Sequence, residues 1–215
     1  MNDPARTTDK RLQRGEASRA HILRAAVDCI AEQGLAGLTL DRVAERIGIS
    51  RPLIVFHFKS KEKLIEEVLA YLGQRYSAGW DAIVRMPNDD AAVKLVDLIE
   101  YDIRFGCENP KLVSAWHAFW GDPRGSRLFF ELVVPRDEGY AEDLGTLLAR
   151  INHVEGYGTR ELEAITRGLV NMMFGIWTQS HLNPGPNDFS DNSRAVALYL
   201  RRMFPRTDFP PFPVC

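Results

Sequence analysis

Apolar residues along this chain recur at three- and four-residue intervals, the spacing that gathers them on one side of an α-helix. No stretch alternates in the manner of a half-buried strand. Ile22, Ala26 and Ile30, with Leu23 and Val27 beside them, predict a first helix over 17–33, ended by Gly34. Thr39 caps a short second helix with an inner face of Leu40, Val43, Ala44 and Ile47. Gly48 breaks it, and Ser50 caps a third helix to about Phe56, with Pro52 tolerated in its first turn. Ser60 opens a long fourth helix carrying Leu64, Val68, Leu69 and Leu72 on one face, stopped by Pro87 and Asn88. Further helices are expected over 90–106, 110–121, 125–134, 137–153, 159–183 and 189–204. Their breaks are Asn109-Pro110, Gly121-Asp122-Pro123, Pro135, Gly156 with Gly158, and Asn183-Pro184-Gly185-Pro186. Pro205, Pro210, Pro211 and Pro213 make the tail extended. The expected fold class is all-α, with a three-helix head over 16–62 and a helical bundle over 63–204. An arm (1–15) and a Pro-rich tail (205–215) flank them.

Composition narrows what such a fold can do. An apolar fraction of 45% across 215 residues supports a sizeable core. No run of 18 apolar residues marks a membrane span, so no membrane partner is expected. Met1 to Gly15 lacks the apolar stretch of a secretory signal and reads as a flexible basic arm with Arg6, Lys10, Arg11 and Arg14, which makes the cytoplasm the expected location. Three unpaired-looking cysteines, Cys29, Cys107 and Cys215, argue against a disulfide framework and a zinc site; Cys29 and Cys107 read as buried hydrophobes. The histidines at 21, 57, 117, 153 and 181 form no HExxH pair, and neither a Gly-x-Ser-x-Gly elbow nor a phosphate-cradling glycine loop is present. Catalytic residues, metal ligands and cofactors are therefore expected to be none. Two alternatives stay open: a small helical enzyme, for which Cys107 and His117 would be the nucleophile and base, and a helical adaptor that does not touch DNA. Charge points elsewhere: residues 1–63 hold 12 Lys/Arg against 8 Asp/Glu, and the remainder is net acidic. A basic front and an acidic rear suggest that only the front meets a polyanion.

The front carries a specific motif. Thr39 to Phe58 places a small residue, Ala44, then a turn glycine, Gly48, then an aliphatic plug, Ile49, between two short helices; this is what a steep helix-turn-helix crossing needs. The residues Thr39, Val43-Ala44, Ile47-Gly48-Ile49-Ser50, His57-Phe58 and Lys59-Ser60-Lys61-Glu62-Lys63-Leu64 resemble the TetR family of bacterial repressors over about residues 17–70. That resemblance implies that Ser50, Arg51, Pro52 and Leu53 face base edges while Thr39, His57 and Lys61 meet phosphates. Arg51 suits guanine, because its guanidinium can bond O6 and N7 together. His57 can equally cap or pack. Val55 stands where most members have a tyrosine that commonly touches phosphate, which removes one polar contact. Arg11, Arg14 and Arg19 are candidates for phosphates or the minor groove, or simply solvated.

The rear is rich in aromatics. Trp116, Phe119 and Trp120 share one helix face, Tyr101 and Phe105 share another, and Met172, Met173 and Trp177 recur in 159–183. Such stripes serve as core or as the lining of a pocket; the candidate pocket set is Tyr101, Phe105, Trp116, Phe119, Trp120, Met173 and Trp177. The stretches 115–120 and 168–182 resemble the C-terminal domain of the choline-responsive repressors within TetR. This resemblance implies a small-molecule effector, with an organic cation such as choline as one candidate, since rings attract a desolvated cation. It also implies a homodimer in which the last two long helices form a four-helix seam through Ile165, Leu169, Met172, Ile176, Val196, Tyr199 and Met203. Two reading helices would then meet a near-palindromic operator about 34–36 Å apart or wider.

Overall fold

The computed structural model describes residues 4–87, 89–132, 134–183 and 188–212. Among these residues ten helices follow in order: α1 (Pro4–Gly37), α2 (Leu40–Ile47), α3 (Arg51–Phe58), α4 (Lys61–Val84), α5 (Ala91–Glu108), α6 (Pro110–Gly121), α7 (Pro123–Leu132), α8 (Val134–Glu155), α9 (Thr159–Leu182) and α10 (Asp188–Met203). No strand occurs among the described residues, so the fold is all-α as the periodicity predicts. Cys215, Asn88, Pro213 and the Pro184-Gly185-Pro186 loop lie outside the described residues, as do the side chains of Arg6, Lys10, Arg11 and Pro135.

One expectation is corrected at the start of the chain. The segment expected as a flexible arm is helical from Pro4 onward, continuous with α1. The reason is local: proline suits a helix start, and the Lys, Arg, Leu, Gln, Glu and Ala that follow are good helix formers. Gly34 does interrupt α1, at φ 69° and ψ 177°, a conformation open to glycine alone at low cost.

The chain packs as two compact units. The first comprises residues 1–72 with 114–129, and the second 73–113 with 130–215. In the first, Ile22, Ala26 and Ile30 of α1 are essentially inaccessible to water, as are Leu38, Val43, Ile54, Phe58 and Leu64, and α1 packs against α2 and α2 against α3. Ala115, Trp116, Phe119 and Phe129 are buried as well and belong to this unit. This is a division that the sequence does not suggest, since it takes 114–129 out of the expected bundle. In the second unit α5 packs against α8, α9 and α10. Its core includes Leu95, Leu98, Ile99, Ile103, Leu144, Leu148, Leu169, Val196 and Leu200. The tail past Met203 is not helical, as expected, and it is tied down: Phe209 and Phe212 join that core, and the Arg206 N–H and the Thr207 hydroxyl both donate to Glu155 Oε1 (2.7 and 3.0 Å).

Candidate nucleic-acid interface and aromatic cluster

The turn between α2 and α3 is set by three residues. Thr39 Oγ1 accepts the Arg42 N–H at 3.2 Å, satisfying one orphan donor at the start of α2. Gly48 ends α2 in the left-handed region (φ 66°, ψ 34°), and its N–H together with that of Ile49 returns to carbonyls in the last turn. Ser50 occupies the N-cap of α3, but its hydroxyl makes no capping bond; its carbonyl accepts the Leu53 N–H at 3.0 Å instead. The expected serine cap is thus a backbone one. Helix α3 runs to Phe58, one turn fragment further than predicted, because Phe58 and Ile54 are its buried anchors.

With that anchoring, the other side of α3 faces water. Ser50, Arg51, Pro52 and Leu53 are exposed, and Thr39, His57 and Lys61 are partly so. Arg51 pairs with Asp41 of α2 (3.3 Å), an ion pair open to solvent on both sides and so of small net worth. Arg46, Arg42 and Arg19 are held by contacts within this unit. Arg46 of α2 forks onto Glu32 of α1 and reaches Asp28 at 3.7 Å, and Arg42 Nη1 donates to Gly37 O at 2.6 Å. Arg19, a candidate for phosphate, instead pairs with Glu67 at 2.6 Å and lies 5.0 Å over the Phe58 ring. Cys29 beneath Arg46 is buried as expected, and burial pushes its thiol above the usual range.

The link from α3 to α4 is sharp. Lys59 adopts φ 67°, ψ −50°, the only positive φ at a non-glycine among the described residues, and the Ser60 N–H donates to Phe58 O across it at 2.8 Å, closing a γ-turn. Its ammonium donates to Phe56 O at 3.1 Å. Ser60 Oγ then accepts the Lys63 N–H at 3.1 Å, the cap that the sequence predicts for α4. The result sets Arg51, Lys59, Lys61 and Lys63 around α3 and the start of α4.

The second unit holds a different cluster. The Tyr76 ring lies 5.4 to 6.0 Å from the rings of Trp80, Tyr101, Phe105 and Trp177. Its hydroxyl donates to Asp102 Oδ1 at 2.7 Å. Asp102 is the one acidic side chain that is buried among the described residues. Trp177 Nε1 donates to the Asp102 carbonyl at 3.2 Å, and Trp80 Nε1 to Asp143 Oδ2 at 2.8 Å. Tyr101 lies so close to α4 that a Cβ at Gly79 would fall 2.2 Å from its ring. Burial and the Asp102 charge push the Tyr76 phenol well above its ordinary range. Of the candidate pocket residues, Tyr101, Phe105, Met173 and Trp177 sit in this unit, whereas Trp116, Phe119 and Trp120 pack in the first. Face-sharing within one helix could not reveal that split. Sequence reasoning missed Tyr76 and Asp102; their only signal was a tyrosine and an acid inside helical stripes.

The helix-turn-helix region, residues 22–68, matches the family described as "Bacterial regulatory proteins, tetR family". Residues 93–205 match "BetI-type transcriptional repressor, C-terminal". The chain belongs to the TetR family, with a BetI-type C-terminal half. Curated relatives include the HTH-type transcriptional regulator BetI of Klebsiella pneumoniae strain 342, 21% identical over 188 residues, covering 87% of this chain and 94% of the relative. BetI of Burkholderia cenocepacia is 26% identical over 180 residues, covering 80% and 87%. Solved structures agree in fold: a TetR transcription regulator from Haloarcula marismortui superposes with a TM-score of 0.72 at 22% identity, covering 87% and 98% of the two chains. A transcriptional regulator from Rhodococcus sp. Rha1 gives 0.71 at 21%, covering 90% and 100%.

For this TetR-family chain the residues expected at a dimer seam divide. Leu169, Ile176 and Val196 are buried in their own subunit's core, and the Tyr199 hydroxyl donates to Ile165 O at 2.8 Å, between α9 and α10. Ile165, Met172, Tyr199 and Met203 are only partly buried. Three of the seven thus lie on the inner face of their helices, since in one sequence a stripe turned to the core looks the same as a stripe turned to a partner. The outward strips are different: Ala164, Arg167, Asn171, Phe174, Thr178 and Leu182 on α9, and Asp191, Arg194, Ala195, Leu198 and Arg202 on α10 are exposed. Among them Leu182 (72%), Leu198 (60%) and Phe174 (45%) show the most apolar surface. No helix is long and apolar enough to cross a membrane, and no group of three metal-ligating side chains gathers among the described residues.

Proposed function

We propose that this transcriptional regulator represses from a near-palindromic operator as a two-fold homodimer, and releases it when a small organic cation binds the second unit. The observation that carries the reading is the two-sided α3: Ile54 and Phe58 anchor it in the head while Ser50, Arg51, Pro52 and Leu53 stand in water on a basic rim. In such a head the second helix of the motif enters the major groove. Arg51 reads a base edge, and Thr39, His57 and Lys61 hold the phosphates. The chain performs no catalysis of its own.

The effector class follows from the aromatic cluster. Tyr101, Phe105 and Trp177 gather around Tyr76, whose hydroxyl donates to the buried Asp102, and a desolvated cation gains about 0.5–2 kcal/mol from an aromatic face. The Tyr76 ring itself fills the middle of that group, so a ligand must displace it. Tyr76 belongs to α4, the same helix whose first turn carries Lys61. A cation that binds only the displaced form therefore shifts the equilibrium away from the operator-binding form.

A gel shift with the DNA upstream of the chain's own coding sequence tests the first half. Sequence-selective retention supports it, and failure to bind any promoter fragment above random duplex sinks it. For the second half, choline is titrated against 3,3-dimethyl-1-butanol, its uncharged analogue, while tryptophan fluorescence and operator release are followed. Equal response to both, or to neither, rejects a cationic effector.

A further inference from the structure

Helix α3 offers very little hydrogen-bonding chemistry. The five consecutive residues Pro52, Leu53, Ile54, Val55 and Phe56 have no side-chain donor or acceptor. One of them, Ile54, is fully buried, and the other four are on the outside. Phe56 is the extreme case: 69% of it is exposed, more than any other aromatic side chain among the large exposed hydrophobics. At about 100° per residue it stands about 180° from the midpoint of Ile54 and Phe58, so it projects directly away from the core. Pro52 lies one turn earlier on that same side, with Leu53 (36% exposed) adjoining it. The Lys59 ammonium lies 5.6 Å from the Phe56 ring centroid, and the ring stands edge-on to His57 at 5.3 Å. An apolar ridge thus runs along α3, with Arg51 at the helix start and Lys59 against its far end.

Even with Lys59 and His57 against the ring, 69% of Phe56 stays in water, so the ridge calls for a partner, and the cations beside it favour an anionic one. The base edges of the major groove carry a single apolar group, the C5 methyl of thymine. We infer that Phe56, with Pro52 and Leu53, reads thymine methyl groups, making this protein's operator preference in large part an apolar one. The inference rests on α3 being the groove-entering helix, and it goes beyond that reading by naming both the reader and the chemical group read. Arg51 supplies one hydrogen-bonded position at the helix start. Phe56 supplies a methyl-dependent position about one turn further along, where A·T to G·C changes and loss of the methyl alone are both felt.

The test begins by enriching binding sequences from a random duplex library with the full-length protein. In the enriched site each thymine is then replaced singly by deoxyuridine, which deletes the methyl and leaves every hydrogen bond in place. For the wild-type chain one such position per half-site should weaken binding about fourfold, equal to about 0.8 kcal/mol, the value of one buried methyl-sized group. Substituting both half-sites should weaken it about fifteenfold. Phe56→Ala should lose that same factor on the thymine site and become indifferent to deoxyuridine there, while Phe56→Leu keeps part of the sensitivity. Thermal unfolding of both variants checks the head. Wild-type indifference to deoxyuridine overturns the inference, and this measurement needs no variant. So does undiminished sensitivity in Phe56→Ala, or an equal loss by that variant on operator and random duplex, which would mark Phe56 as a backbone contact. An enriched site without methyl dependence rejects this inference alone; no enrichment at all rejects the operator reading and this inference with it.

Discussion

Arg51 and Asp41 form a pair whose partners are both largely in water (59% and 69% exposed), 3.3 Å apart. Such a pair holds the guanidinium loosely, so DNA can take Arg51 over at small cost, while Asp41 adds a negative charge beside the operator. Asp41→Asn should therefore tighten binding to operator and random duplex alike by a few-fold, and Arg51→Ala should lower the ratio of operator to random affinity. Lys61→Ala should weaken both and reduce the salt slope by about one. Filter binding across a salt series measures all three; an unchanged specificity ratio in Arg51→Ala would remove it from the base readers. Tyr76 answers to a different variable. Its folded phenol ionises well above the ordinary 10.0, with burial as the main cause and the Asp102 charge next. The unfolded chain releases that proton near pH 10, so the contribution is complete below pH 10 and drains away as pH rises past it. Tyr101 and Tyr199, also raised by burial, act in the same direction. Urea midpoints at pH 8 and pH 10.5 should fall steeply for the wild type and less for Tyr76→Phe. At pH 8 that variant should itself lose about 1–3 kcal/mol, because the Asp102 carboxyl loses its donor.

Among the elements, the α2–turn–α3 unit was the most legible from sequence, because each of its parts has a local cause. Thr39 can cap, Gly48 can take a positive φ, and Ala44 is small enough for the crossing; none of these requires knowledge of a distant residue. The helices of the second half were legible for the same reason, as Pro and Gly punctuate a steady apolar period. What could not be read was which stripes face one another. Trp116, Phe119 and Trp120 share a face, yet that face packs in the head, and Leu169 and Val196 serve their own core instead of a seam. Period fixes the side of a helix, whereas the identity of the neighbour depends on how the chain closes over tens of residues. Tyr76 and Asp102 escaped notice for the same reason, being 26 positions apart. The local claims are open to direct test. Gly48→Ala forces a Cβ into a left-handed conformation at φ 66° and should cost about 1–2 kcal/mol, and Thr39→Ala about 1 kcal/mol for the lost cap. Urea unfolding followed in the head should register both losses; a Gly48→Ala head as stable as the wild type would mean that the turn relaxes elsewhere.

At the scale of the whole molecule, the proposed near-palindromic operator would need two heads, and a single chain carries one. The second unit offers a surface for the pairing. On α9, positions 164, 167, 171, 174, 178 and 182 are exposed at three- and four-residue steps, the spacing of a helix that packs against a partner along its length. On α10, positions 191, 194, 198 and 202 repeat the pattern, with Leu198 60% exposed at the middle. Tyr199, bonded to Ile165 O, holds the two helices together from within the subunit, so the strips are presented by one fixed pair. A two-fold axis through that pair would set Leu198 and Phe174 of each copy in the seam and bury apolar surface that a lone chain leaves wet. A charge placed at Leu198 would lie opposite its own symmetry mate or in an apolar contact, and either is destabilising only in the dimer. Leu198→Glu should therefore leave the thermal unfolding of the isolated subunit little changed while sedimentation shifts from dimer to monomer at micromolar concentration. Operator binding should weaken by at least tenfold, and random-duplex binding, which needs no second head in register, should weaken much less. A Leu198→Glu protein that still sediments as a dimer would place the seam on another face, and one that is monomeric yet holds the operator unimpaired would remove the need for pairing.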